Sequence, residues 1–293
     1  MVALDSPRGL TAAEVTKACD GASALLCQLT DEISADVFAV EGLKIVATIA
    51  VGYDNVDVSA AVARQVAVTH TPGVLTEATA DLTLALMLAT ARHIPESDAS
   101  VRDDVTRPWR LLHEPMGADI SGATLGIVGL GRIGTAVAQR AQLGFGMKIV
   151  YHSRRSVPGF AATRLSLAEL LAASDLVSLH APLTPETRHL INRETLALMQ
   201  PHAILVNTSR GGLVNEVDLA AALRANRLAG AGLDVFEHEP DVHPDLLACG
   251  PKVVLTPHIG SATTRTRGAM TGLAVDNILA VLAGRPPLNP VPG

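Results

Sequence analysis

The chain has 293 residues and a formal net charge of −6, which allows one large or two medium domains and gives no basic footprint for nucleic acid. Its three cysteines, Cys19, Cys27 and Cys249, have neither pairing nor metal spacing and are expected as buried, reduced thiols of a cytoplasmic protein. The opening residues lack the basic-then-apolar pattern of a leader, and the longest apolar stretch, Leu82–Ala91, falls far short of the ~18 residues a membrane span needs.

Short apolar runs alternate with helical stretches, the pattern of an α/β protein with parallel sheets. The first half offers a helix over Thr11–Cys19 and strands over Ala24–Gln28, Lys44–Ala50 and Ala67–His70. Glu77–His93 has helical spacing, yet Leu84, Met87 and Leu88 make its opposite side apolar too. Such a helix is buried all round. That suits a place between domains or in a subunit interface, and equally the interior of one domain. The polar stretch Ser97–Met116, with Pro108 and Pro115, reads as a boundary. Strands follow at Thr124–Val128, Lys148–Tyr151, Leu176–Leu179, Ile204–Asn207, Gly230–Asp234 and Val253–Thr256. Helices are predicted over Leu167–Ala173, Arg193–Met199, Glu216–Ala225 and Thr266–Ala283.

The most informative motif is Gly129-Leu130-Gly131-Arg132-Ile133-Gly134, because a strand precedes it and a helix and a second strand follow it. In a unit of about 30 residues, G-x-G-x-x-G in that setting marks a dinucleotide site. Gly129 permits the tight turn, Gly131 lets the backbone approach a pyrophosphate, and Gly134 allows close helix–strand packing. The helix N-terminus offers unpaired N–H groups to the phosphates. Glycine turns at strand ends are common, so the motif carries weight through its context.

Three later strand ends supply candidates for chemistry at a carbonyl: Arg210 in Asn207–Gly212, Glu239 in Gly232–Pro240, and His258 in Leu255–Ser261. Ligands of open α/β sheets bind beyond the C-terminal strand ends, so the three can face one crevice. Arginine presents a planar fork to a carboxylate. A histidine held by a glutamate keeps its orientation and favours its charged, proton-donating form. Taken singly, these residues read as a surface arginine, a turn glutamate and a core histidine. Their shared placement after a dinucleotide fingerprint points to a site.

In order, GLGRIG, NTSRGG, GLDVFEHEP and LTPHIGSAT resemble the D-isomer-specific 2-hydroxyacid dehydrogenase family, closest to its glyoxylate/hydroxypyruvate reductases. Val51–Asp57, Thr71–Glu77 and Leu179–His189 match it as well, so the resemblance covers nearly the whole chain. It implies two Rossmann-like/flavodoxin-like parallel-sheet domains with a deep cleft between them: a substrate domain of residues 1–94 plus 265–293 and a dinucleotide domain of residues 95–264. By the same resemblance Arg210 would hold the substrate carboxylate and carbonyl oxygen. His258 would be the proton donor in reduction, and Glu239 its partner. Backbone N–H groups at Val51 and Gly52, with Ser261, would cradle the carboxylate. Asp234 would lie near the nicotinamide amide, and His180 and Pro182, with Thr208, Ser209 and Gly260, would line the cofactor crevice. Trp109 would reach a substrate pocket or serve only in packing. No metal is expected. Glu239 argues against the formate dehydrogenase branch, where glutamine holds the histidine, and no regulatory domain like that of the longer phosphoglycerate dehydrogenases is expected. A homodimer through the Glu77–His93 region is expected. Rival readings are a non-catalytic dinucleotide-sensing protein on the same scaffold, as in the corepressor relatives, and a D-lactate-type or phosphonate enzyme.

Ser153 stands 19 residues after Gly134, where an NAD site carries an acidic ribose ligand, and Arg154 and Arg155 follow it. A hydroxyl and two guanidinium groups suit a 2′-phosphate, so NADP(H) is expected to be preferred, with NAD(H) possible. The alternative is that the arginines are solvated loop charges. The chain departs from the family at its start, where an apolar first strand is expected and Met1–Asp5 leads directly into Ser6–Gly9. Ala24–Gln28 would then be the second strand of a 2-1-3-4-5 sheet with its internal first strand missing or reduced to a stub at Val2–Leu4. A start site further upstream is the favoured explanation.

Overall fold

A computed structural model describes residues 6, 8–104, 111, 116–157 and 160–292. Two compact units form, one from residues 1–76 and 261–293, the other from residues 77–260. Among the described residues no helix is long and apolar enough to cross a membrane.

The smaller unit runs α1 (Ala12–Ala18), β1 (Ala24–Cys27), α2 (Ala35–Phe38), β2 (Ile45–Thr48), α3 (Val58–Ala63) and β3 (Ala67–Thr69). Its three strands are parallel in the order β1-β2-β3, with Ala24 beside Ile45 and Ile45 beside Ala67. All four residues of β2 are buried, which is why that strand reads as an unbroken apolar run. Thr11 caps α1 in a reciprocal box with Glu14, so the predicted helix is right apart from its cap. The expected vacancy between the first two strands is absent. β1 hydrogen-bonds directly to β2 and so takes the third place of a 2-1-3-4-5 order, not the second. The suggested stub at Val2–Leu4 lies outside the described residues.

The larger unit runs α4 (Thr76–Ala91), α5 (Ile94–Asp103), β4 (Thr124–Val128), α6 (Arg132–Phe145), β5 (Lys148–His152), β6 (Thr163–Arg164), α7 (Leu167–Ala173), β7 (Leu176–Leu179), α8 (Arg193–Leu196), β8 (Ile204–Asn207), α9 (Glu216–Arg224), β9 (Gly230–Leu233), α10 (Pro244–Leu247) and β10 (Val253–Leu255). Its seven parallel strands are ordered β10-β9-β8-β7-β4-β5-β6. The order reverses between β4 and β7, the switch point at which such sheets bind nucleotides. The core is aliphatic on both faces: Leu125, Ile127 and Val206 lie with the α4 and α6 side chains, and Leu179, Leu205 and Leu213 with those of α7 and α9.

Three boundaries differ from expectation, one of them the return to the smaller unit, which falls at residues 260/261 and not at 264/265. α4 packs into the larger unit, where Ala80, Leu84, Leu86 and Met87 share a cluster with Ile127 and Val206, so the division falls at residues 76/77 and not at 94/95. Much of the all-round apolar character of α4 is spent inside that unit. The stretch read as linker begins with a full helix, α5, which buries none of its residues and is braced by Arg102 on Asp98 one turn away. With only Ile94 and Val101 apolar and large, it leaves little periodic signal. α11 (Thr264–Leu282) returns the chain to the smaller unit and covers β2.

Candidate active site

The glycine turn leaves β4 at the switch point. Gly129 has φ +95°, a conformation glycine tolerates, and a Cβ there would lie 2.7 Å from the backbone of His180 and Ala181. At Gly134 a Cβ would lie 2.3 Å from the Gly129 carbonyl oxygen, whereas at Gly131 it would meet nothing within 4 Å. Gly131 is the N-cap of α6, no side chain caps that end, and its first turn holds no acidic residue. The first N–H groups of a 14-residue helix therefore face open space beside a residue without a side chain. Leu130 turns inward and is buried, and Arg132 stays exposed. These features fit a dinucleotide pyrophosphate.

β7 brings His180 against this turn. Its N–H donates to the Val128 carbonyl at 2.7 Å and its Nε2 pairs with Ser178 Oγ at 2.8 Å. Burial pulls its pKa down from 6.5 to about 3, so the ring is neutral. Ser209 Oγ donates to the Ala181 carbonyl at 2.6 Å and ties the end of β8 to that of β7. Thr208 pairs with Thr83 of α4 at 2.8 Å, and the Pro182 carbonyl accepts Thr187 Oγ1 at 2.7 Å.

The candidate catalytic residues follow the adjacent strands β8, β9 and β10. Glu239 Oε2 and His258 Nδ1 are 2.7 Å apart, both largely shielded from solvent. Glu239 Oε1 accepts the Phe236 N–H at 3.1 Å, which fixes the carboxylate. His258 sits at φ 52°, a left-handed conformation that a non-glycine residue seldom adopts. Asp234 holds it there. The Asp234 carbonyl accepts the His258 N–H at 2.8 Å, Oδ1 accepts Thr256 Oγ1 at 2.6 Å and the Ile259 N–H at 2.8 Å, and Oδ2 accepts the Gly260 N–H at 2.8 Å. Burial pushes the Asp234 carboxyl upward, opposed by these hydrogen bonds. Thr79 of α4 donates to the Gly260 carbonyl at 3.3 Å and steadies the far side of the loop.

Arg210 lies in the loop after β8, with Nη1 donating to the Ser209 carbonyl at 2.8 Å and its own carbonyl held by Asn207 Nδ2 at 2.8 Å. The next residue, Gly211, is so close to the segment behind it that a Cβ would lie 1.9 Å from the Phe236 carbonyl carbon. The Arg210 loop is thus laid directly on the segment that carries Glu239. Sequence reasoning singled out Arg210, Glu239 and His258, of which the structure pairs Glu239 with His258. It missed that Asp234 pins the histidine loop, that Thr79 braces it and that Thr83 braces the Arg210 loop through Thr208, because no local pattern marks a carboxylate taken up by backbone donors.

In the smaller unit the Val51 carbonyl accepts His70 Nδ1 at 2.8 Å, with Gly52 next to it. Ser261 opens the returning segment, and its carbonyl accepts the Thr263 N–H at 2.8 Å. Trp109 lies outside the described residues. Ser153, Arg154 and Arg155 form the loop after β5; both arginines are exposed, and Ser153 Oγ donates to the Arg155 carbonyl.

Residues 84–260 match the family described as D-isomer specific 2-hydroxyacid dehydrogenase, NAD binding domain. A glyoxylate reductase of Thermococcus litoralis is 46% identical over 291 residues, covering 97% of this chain and 86% of that protein. Among solved structures, the TT0316 protein of Thermus thermophilus is similar with a TM-score of 0.91 and 52% identity, covering 99% of this chain and 91% of that one. An NADPH-dependent glyoxylate/hydroxypyruvate reductase of Sinorhizobium meliloti, solved with NADP and malonate, has a TM-score of 0.85 and 38% identity, covering 96% and 87%.

Proposed function

The chain belongs to the D-isomer-specific 2-hydroxyacid dehydrogenase family, and on that footing we propose that it reduces glyoxylate or hydroxypyruvate to the 2-hydroxy acid. The carrying observation is the His258–Glu239 pair at 2.7 Å, on a loop held in a left-handed turn by Asp234, beyond the same sheet that presents the glycine turn. When bound, the reduced nicotinamide supplies the hydride. His258 gives a proton to the carbonyl oxygen as it gains charge, its ring oriented by Glu239. Arg210 binds the carboxylate through its planar fork and polarises the carbonyl. Gly129, Gly131, Gly134 and the α6 N-terminus take the pyrophosphate, with Leu130, Arg132 and Ile133 shaping the turn.

We read the cofactor as NADP(H). The acidic ribose ligand of NAD sites is replaced by Ser153, and exposed Arg154 and Arg155 follow it. Three buried free thiols suit a reducing compartment, the cytoplasm. A groove of about 630 Å³ between α4 and α6, lined by Leu84, Leu88, Leu143 and Phe145, fits a second copy. Leu143 is 85% exposed there, and Arg140 is braced at the rim by Glu77 at 2.6 Å and Asp81 at 2.8 Å. Leu143→Glu should convert a dimer to a monomer in light scattering; a monomeric wild type would remove this reading.

Steady-state kinetics with NADPH and NADH against glyoxylate, hydroxypyruvate and pyruvate test the assignment. Higher kcat/KM with NADPH and with one of the first two acids is expected. Turnover confined to pyruvate, or no turnover, would overturn it.

A further inference from the structure

The loop that follows β5 is held from the neighbouring strand. Gly129 donates its N–H to the His152 carbonyl at 2.8 Å, so the loop starts against the glycine turn. Arg164, in β6, reaches back across it. Its Nε and Nη2 donate to the Ser153 carbonyl at 3.1 and 2.8 Å, and Nη2 also donates to the Arg154 carbonyl at 3.0 Å. His152 Nδ1 contacts the Leu165 carbonyl at 3.1 Å and fastens the same two segments one residue further on. Arg164 is itself exposed, so its guanidinium is not there to fill a core.

This arrangement matters for an anion. Two consecutive carbonyl oxygens next to the expected ribose position would present negative dipole ends to a phosphate. Here both accept from one guanidinium, which offsets that charge and fixes the peptides that carry the Arg154 and Arg155 side chains. Nε and Nη2 are committed to the loop in a forked geometry that a lysine lacks. Ser153 adds its own closure by donating to the Arg155 carbonyl.

We propose that Arg164 is a specificity-determining positioning residue: it clamps the Ser153–Arg154 backbone so that the loop selects a dinucleotide carrying a 2′-phosphate. The proposal rests on the NADP(H) reading above. Arg164 does not touch the reacting atoms, and its effect belongs to cofactor recognition alone.

Calorimetric titration of the protein with 2′,5′-ADP and with 5′-AMP gives a readout free of turnover, and kinetics with NADPH and NADH accompany it. Arg164→Ala should weaken 2′,5′-ADP binding and raise the KM for NADPH by about tenfold, the scale of one charge-assisted bond. It should leave 5′-AMP binding, the KM for NADH and kcat within about twofold. Arg164→Lys, which keeps the charge but not the fork, should fall between. Equal losses for both nucleotides, or an unchanged 2′,5′-ADP affinity in a folded Arg164→Ala, would overturn the clamp while leaving the NADP(H) reading intact. A wild type that binds 2′,5′-ADP no better than 5′-AMP would overturn both.

Discussion

Gly131 and Gly134 stand three residues apart in the same turn, yet adding a methyl group to each should do opposite things. At Gly134 the new Cβ lies 2.3 Å from the Gly129 carbonyl oxygen and 3.1 Å from Ile127 Cγ2. The first is a backbone atom at the centre of the turn, so β4 and α6 must separate. A destabilisation of about 1–3 kcal/mol is expected from such overpacking. At Gly131 the Cβ meets nothing within 4 Å, and φ −84° with ψ −161° is open to alanine. The cost to folding is the small preference for glycine over alanine at an N-cap, a fraction of a kcal/mol to about 1. The methyl group would instead stand where the backbone meets the pyrophosphate. Losing one charge-assisted hydrogen bond there costs about 1.5–3 kcal/mol, or roughly 10- to 100-fold in Kd. Thermal melts and NADPH fluorescence titrations of Gly131→Ala and Gly134→Ala measure the two effects. Gly131→Ala should keep its Tm within a few degrees and lose cofactor affinity; Gly134→Ala should lose Tm. A Gly131→Ala protein with wild-type cofactor affinity would refute the placement of the pyrophosphate at the α6 N-terminus.

Other outcomes follow from the same geometry. His258→Ala should lower kcat by about 10²- to 10⁴-fold while NADPH affinity stays near wild type. Arg210→Lys, which keeps charge without the fork, should raise KM for the 2-oxo acid and lower kcat; wild-type turnover in either variant would contradict the role given to it. His180 is a base whose folded pKa is depressed to about 3 from 6.5, so the unfolded chain takes up the proton first and stability falls as pH drops below 6.5. At pH 5 that difference is about 2 kcal/mol. Urea unfolding at pH 7.5 and 5.0 should show the wild type losing about that much more than His180→Gln; parallel losses would show that burial of this ring is not what the acid must overcome.

Much of the fold was legible along the chain because its strands are short β-rich apolar runs that parallel sheets bury on both faces. Thr124–Val128 and Leu176–Leu179 were predicted to the residue, and α7 likewise, where Ser166 and Glu169 make a capping box. Several of the elements that went unread give little periodic signal. α5 buries none of its residues, β6 is two exposed residues, and α2 is a single turn of four residues. The place of β1 in its sheet was misjudged because strand order depends on which neighbour completes the hydrogen-bond ladder, and no residue of Ala24–Cys27 encodes that choice.

What the sequence determined by itself was chemical identity and local form. It placed glycines in the turn between a strand and a helix, and an arginine, a glutamate and a histidine each past an apolar strand. What only the tertiary structure decided was which distant groups engage each other: Glu239 with His258, Asp234 with the backbone of Ile259 and Gly260, Arg164 with the carbonyls of the Ser153 loop. The reason is physical. Periodicity and turn chemistry act over a few residues and are written in residue types, whereas these bonds join groups from separate strands, and their partners are mostly backbone atoms that every residue carries.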